Sequence, residues 1–269
     1  MKYRAISVGA LVLVLLPLIG AGQDKRGFTQ ELSPDSVRST ATGNRKQDKR
    51  EFTKEFPLGE CEFKTVGGNR YFILEPGRQL HLNNFRCVTE GRCNETEEVV
   101  ITVLNETRDI TLDINGQLET VTTRVVEERE TVDGELAEIS RNFFAECSGT
   151  QDVYYFGEDV DIYEGGVIVS HEGAWLAGSN GAKPGVIMPG GAFLLGARYF
   201  QELAPGVAMD RSEHVDMDLS VGVPAGNFTE CVEVKETTPL DKKAVSMKTY
   251  CPDTGLVIDE DLELISVVE

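Results

Sequence analysis

Three consecutive runs of alternating apolar and polar residues, joined by two-residue turns, constrain this chain more than any other feature. EEVVITVLNETRDITLDI is followed by Asn115-Gly116, then QLETVTTRVVEERETV, then Asp133-Gly134, then ELAEISRNFFAEC. Alternation at period two sends successive side chains to opposite faces of a strand. Asn-Gly or Asp-Gly between two such runs is the strongest short-range hairpin signal, because a type I′ turn needs positive φ at both central residues. QDVYYFGEDVDIY and GGVIVSHEGAWLAG continue the pattern around Glu164-Gly165-Gly166. After a Gly/Pro-rich stretch from Ala177 to Gly191 it resumes with ARYFQEL, AMDRSEHVDMDLSV, GNFTECVEVKET, AVSMKTYC and GLVIDEDLELISVV. No convincing amphipathic helix stands out. The expected fold class is all-β: an antiparallel meander, as a curled sheet or partly open barrel, with one face packed and one wet.

Ahead of this domain lie two segments of different character. MKYR and the apolar run AISVGALVLVLLPLIGAG read as an exported protein's signal segment, residues 1–22, with Gly20 and Gly22 at cleavage-compatible positions. Pro17 and the glycines interrupt the apolar run, so a membrane span is the weaker reading. Residues 23–57 are polar, carry charges of both signs and show no apolar period, which reads as a disordered tether. Within it QDKRGFTQEL at Gln23 returns as QDKREFTKEF at Gln47, matching at seven of ten positions. A duplicated linker is the plain reading, and a pair of docking motifs built on Phe28 and Phe52 is the other. Residues 58–269 form the single β domain.

The net charge is −19, and the acidic excess falls in the β domain because the two preceding segments are slightly basic. Such a field argues against nucleic acid and anionic lipid as partners. Six cysteines in an exported chain read as three disulfides. Cys231 and Cys251 are equidistant from Asp241, so an in-register hairpin around TTPLDKKA brings them face to face, within disulfide range. Cys87 with Cys93 and Cys61 with Cys147 completes the expected set.

NRYFILEPGRQLHL, the run through YFGEDVDIYEGG, SHEGAWLAGSNGAKPGVIMPG, ARYFQELAPGVAMDRSEHV, ECVEVKETTPLD and YCPDTGLVIDEDL follow one another in order. In these stretches the chain resembles a family of uncharacterised exported bacterial proteins, over about Asn69 to Val268. The resemblance implies an exported β scaffold and supplies no reaction or ligand. CPDTGLV departs from the family's small-Pro-Gly before the last strand, and the cysteines look like added staples.

Candidate chemistry concentrates between Gln151 and Val215. Trp175, Tyr154, Phe156 and Tyr199, with Met188 on the Gly/Pro stretch, are the candidate wall of a cavity for a small or apolar ligand. Tyr155 falls on the opposite face from Tyr154 and Phe156, and the Ala177–Gly191 stretch is its candidate lid. Glu158, Asp159 and Asp161, with Glu164, form the densest acidic cluster, for which calcium is the candidate ion although the DxDxDG loop pattern is absent. No other cofactor is expected. Glu172 beside Trp175 suggests a glycosidase acid with an unplaced partner carboxylate. His171 and His214 lack ligand spacing, no GxSxG elbow exists, and GSNGAKPG lacks the GK[ST] ending of a phosphate loop. The leading expectation is an exported, non-catalytic binding or envelope-associated module. A secreted hydrolase using paired carboxylates and a calcium-dependent adhesion or structural module are the alternatives.

Overall fold

The computed structural model describes residues 51–269. The expected signal segment and residues 23–50 of the tether lie outside the described residues. Three short strands come first: β1 (Phe63–Lys64), β2 (Gly68–Asn69) and β3 (Phe72–Ile73). β4 (Gln79–Asn83) leads through α1 (Phe85–Thr89) into the long strands β5 (Glu97–Ile114), β6 (Gln117–Val132), β7 (Glu135–Cys147) and β8 (Val153–Glu164). Five shorter strands follow: β9 (Val167–Ser170), β10 (Trp175–Leu176), β11 (Lys183–Met188), β12 (Arg198–Phe200) and β13 (Glu202–Leu203). The chain ends with β14 (Arg211–Val223), β15 (Gly226–Thr237), β16 (Val245–Cys251), β17 (Gly255–Asp259) and β18 (Leu262–Val268).

The fold is all-β, as the alternation demands. Asn115 and Gly116 take φ of 56° and 82°, and Asp133 and Gly134 take 50° and 79°, the left-handed pair that a tight hairpin requires. Two antiparallel meanders, β4–β8 and β14–β18, are joined by pairing of β18 with β4. The resulting sheet curls without closing into a barrel. Its two ends are carried by one chain segment: β12 pairs with β14, and β13, two residues later, pairs with β11. A separate hairpin, β2–β3, lies against the sheet, with Phe72 edge-on to Phe144 at 4.9 Å between ring centroids.

Three disulfides staple the sheet in the expected pairs, Cys61–Cys147, Cys87–Cys93 and Cys231–Cys251. Val232 pairs with Tyr250, so Cys231 and Cys251 stand opposite each other with 4.2 Å between their Cα atoms. Two features depart from the sequence reading. α1 is a five-residue helix, too short to leave an apolar period, and Cys87–Cys93 ties it to the following turn. Lys183–Met188, inside the stretch read as a lid, is the buried strand β11 between β8 and β13. A side chain at Gly185 would meet Phe200 O at 2.3 Å, so this crossover is wedged into the sheet.

Antiparallel partners share a face of the sheet, so the register identifies what the curl encloses. One row runs Leu82, Val99, Glu130, Glu138; the next runs Leu80, Ile101, Glu128, Ser140, Val160. A third runs Val126, Asn142, Glu158, Trp175. From the other meander come Tyr199, Ser212, Glu236, Ser246, and then His214, Val234, Lys248, Asp259, Leu262. All of these side chains are buried. The enclosed face is therefore apolar near β4 and rich in carboxyl groups near its centre.

Candidate functional site

A bulge in β8 builds the centre. Tyr155 pairs with Phe144 and Glu158 pairs with Asn142, with the register shifting between Phe143 and Phe144. The extra residue turns Tyr155 and Glu158 to the same side, which an unbroken strand forbids. Gly157 sits at the shift with φ of 154°, and a Cβ there would lie 2.8 Å from Trp175 O. Tyr155 Oη donates to Asn142 Oδ1 at 2.5 Å, and Asn142 Nδ2 donates to Glu128 Oε1 and Ser140 Oγ, each at 3.2 Å. The opposite edge contributes Glu202, whose carboxylate accepts the backbone N–H of Asp210. Asp210 itself is buried.

Electrostatics in this interior are dominated by desolvation, which disfavours the charged form of each acid. Burial pushes the Glu138 carboxyl up to about 7. Burial also holds Glu158 well above the usual carboxylate range, with Glu138 and Glu128 adding repulsion. Glu202 is raised in the same way, with Asp210 as its nearest like charge. Burial thus favours the protonated form of each of these acids. One cation is among them. Lys248 Nζ lies 3.1 Å from Glu236 Oε2 and 3.5 Å from Asp259 Oδ2. Burial pulls the Lys248 ammonium down, but Asp259 and Glu236 outweigh it and keep it charged. Burial lifts Asp259 to about 6 even though Lys248 opposes the rise.

The candidate ligand-binding residues are all buried, and they do not form one wall. Trp175 is edge-on to Tyr155 at 5.1 Å, on the enclosed face. Tyr154 and Phe156 point the other way and pack edge-on against Phe63 at 5.6 and 5.2 Å. Tyr199 Oη meets His214 Nε2 at 3.0 Å, while Met188 pairs with Val153 at the start of β8. Burial pushes the His214 imidazole down to about 4, so it is neutral at ordinary pH. These side chains are core.

The candidate ion ligands also separate. Glu158 faces inward, whereas Asp159 pairs with Arg108 at 2.6 Å on the other face. Asp161 stands between Arg141 at 3.5 Å and His171 Nδ1 at 3.0 Å. Among the described residues, the group of three potential metal ligands that comes close together is Cys87, Cys93 and Asp261, and its two sulfurs are joined in a disulfide. Glu172 is exposed on the turn before Trp175, its N–H bonded to Ser170 Oγ.

Among the spaces that adjoin the sheet, two bear on the candidate ligand site. An apolar cavity of about 40 Å3 lies on the enclosed face beneath the β2–β3 hairpin. Its walls include Tyr71, Phe72, Leu80, Ile101, Val103, Val126, Phe144, Tyr250 and Leu256, with Glu128 and Arg78 as its charged members. A surface cleft of about 480 Å3 runs between Lys54–Leu58, the tip of the β5–β6 hairpin and Gly178–Pro184. The first part of the Gly/Pro stretch therefore borders an opening, although none of the five candidate ligand residues lines either space.

Sequence reasoning missed the carboxyl centre. Glu128 and Glu130 continue the face of Val126, and that i, i+2 relation was the available signal. Nothing in the local pattern marks Glu202 or Asp210, which the curl brings in from the far edge. Comparison with protein-family models, curated proteins and solved structures finds no match to this chain.

Proposed function

We propose that this chain is an exported, non-catalytic binding module of the cell envelope that shelters a small apolar group inside its curled sheet. The supporting observation is the cavity under the β2–β3 hairpin, with apolar and aromatic walls and with Glu128 and Arg78 as orienting polar groups. Small-molecule sites typically combine an apolar lining with a few placed polar groups. A volume of about 40 Å3 suits only the tip of a short alkyl chain. A larger ligand requires the hairpin to lift. Lifting that hairpin breaks the bonds of Asn69 Nδ2 to the carbonyls of Gln151 and Met188, of Gly68 N–H to Glu146, of Tyr71 Oη to Glu230 O, and the Arg70–Glu230 ion pair.

Export is supported by three disulfides, which persist in oxidising compartments. No helix among the described residues is long and apolar enough to cross a membrane. The kinship with uncharacterised exported bacterial proteins belongs to the same proposal. The hydrolase and calcium readings rank lower. Glu172 lies outside while the convergent acids are enclosed, and Asp159 and Asp161 are answered by arginines.

Native mass spectrometry of protein purified from its own host is the test. The expected result is a retained small mass on the wild type that Val126→Leu, which takes up much of the cavity, weakens or eliminates. A wild type that carries no ligand, and whose melting temperature is unmoved by short-chain alcohols and small aromatics, sinks the reading.

A further inference from the structure

The described part of the second copy of the duplicated motif, Glu51–Phe56, is docked. Thr53 bridges Tyr199 in parallel on the outer edge of β12, with Thr53 N donating to Arg198 O and Phe200 N donating to Thr53 O, each at 2.9 Å. The Phe52 ring meets Phe200 edge-on at 6.1 Å and lies between two guanidinium groups, Arg198 at 5.4 Å and Arg211 at 4.4 Å. Glu55 faces Lys183 at 3.5 Å, and Phe56 is edge-on to Tyr154 at 6.0 Å. Residues 51–57, read from composition as tether, thus cover a sheet edge. Backbone pairing supplies the attachment here and the flanked ring supplies selectivity, the division seen in strand addition to sheet edges.

The first copy keeps these contacts available except the ring-on-ring contact of Phe56 with Tyr154. Phe28, Thr29 and Glu31 repeat Phe52, Thr53 and Glu55, and Leu32 offers an apolar side chain where Phe56 stands. The other two differences, Gly27 for Glu51 and Gln30 for Lys54, fall where the docked copy is exposed. Divergence is confined to positions outside the contacts named above, and to one apolar exchange. We propose that the outer edge of β12 is a recognition site for a Phe-Thr-x-Glu-apolar segment, and that Gly27–Leu32 of the same chain is its second ligand, docking there in place of Glu51–Phe56. Docking the first copy loops out the intervening residues, and closing a loop of about 24 residues disfavours it by about 100-fold. The second copy therefore holds the site in the intact chain, and the first is a reserve latch. Its local concentration, in the millimolar range for a short linker, exceeds that of any neighbouring molecule at micromolar protein.

The Phe200 amide reports the docking, because its N–H is bonded to Thr53 O. Hydrogen exchange at that amide is measured by NMR in the full chain. Phe52→Ala with Thr53→Pro disables the second copy, and adding Phe28→Ala disables both. Protection should fall by about 100-fold in the first variant and to the unprotected rate in the second, with Phe28→Ala alone close to wild type. Equal exchange in the two disabled variants overturns the proposal. Protection in the first variant that rises with protein concentration also overturns it, since the ligand then comes from another molecule. As a second measurement, the peptide QDKRGFTQEL at millimolar concentration should restore protection when both copies are disabled. Failure of that peptide, or equal success of the same peptide with Phe28→Ala, removes the claimed recognition.

Discussion

Replacing Glu138 with Gln should remove one distinct part of the pH dependence of stability in this domain. Glu138 is 4% exposed, lies on the enclosed face opposite Glu130 across β6–β7, and has Glu158 as a further like-charged neighbour. Burial raises its carboxyl from 4.5 to about 7. The folded state then binds this proton more tightly than the unfolded chain. Its stabilising contribution is fully present below about pH 4.5 and is lost as pH rises toward 7. At about 1.4 kcal/mol for each pH unit of that window, Glu138 accounts for roughly 3 kcal/mol. Glu158 and Glu202 are raised for the same reason and act with the same sign. Urea unfolding of the wild type at several values between pH 4.5 and 8 should therefore show stability falling as pH rises. Glu138→Gln keeps the size of the side chain and removes the charge, so it should be nearly neutral at pH 5 and relatively stabilising at pH 8. Repulsion among the many surface acids also weakens the fold at high pH, but it is common to both proteins and cancels in their difference. Parallel profiles for wild type and variant, or a wild type that gains stability with rising pH, would refute the assignment of a buried neutral acid.

Other substitutions probe the remaining parts of the argument. Lys248→Met leaves Glu236 and Asp259 buried without their cation. Thermal and urea melts at pH 7.5 should register a loss of about 3–5 kcal/mol, recovered in part when Asp259 is also changed to Asn. Gly157→Ala places a methyl group against Trp175 O and strains the positive φ of the bulge. It should cost about 2 kcal/mol or more and shift the indole fluorescence of Trp175, and an unchanged protein would mean the bulge is dispensable. Removing Cys61–Cys147, which closes a loop of sequence separation 86, should cost about 4 kcal/mol. Removing Cys87–Cys93, with a separation of 6, should cost less, and the reverse order would contradict the loop-closure reasoning.

The sequence by itself determined the strands, their turns and one cross-link. Positive φ at Asn115-Gly116 and Asp133-Gly134 is a demand of two adjacent residues, and alternation along β5, β6 and β7 is a property of each segment alone. The Cys231–Cys251 pairing follows from counting outward from a turn. Such features are short-range, so they are legible without the fold. Tertiary structure decided which faces close and what they enclose. Trp175, Tyr154, Phe156, Tyr199 and Met188 looked like one aromatic wall because they are near in sequence. The bulge at Gly157 and the wedged strand β11 distribute them through the core instead. The carboxyl centre gathers Glu128 and Glu158 from the first meander, Lys248 from the second, and Glu202 from the segment that carries both sheet ends. No periodicity connects those positions. Only the curl of the sheet, which removes water from these positions, raises the Glu158 and Glu202 carboxyls well above the ordinary range, because desolvation depends on neighbours far away along the chain.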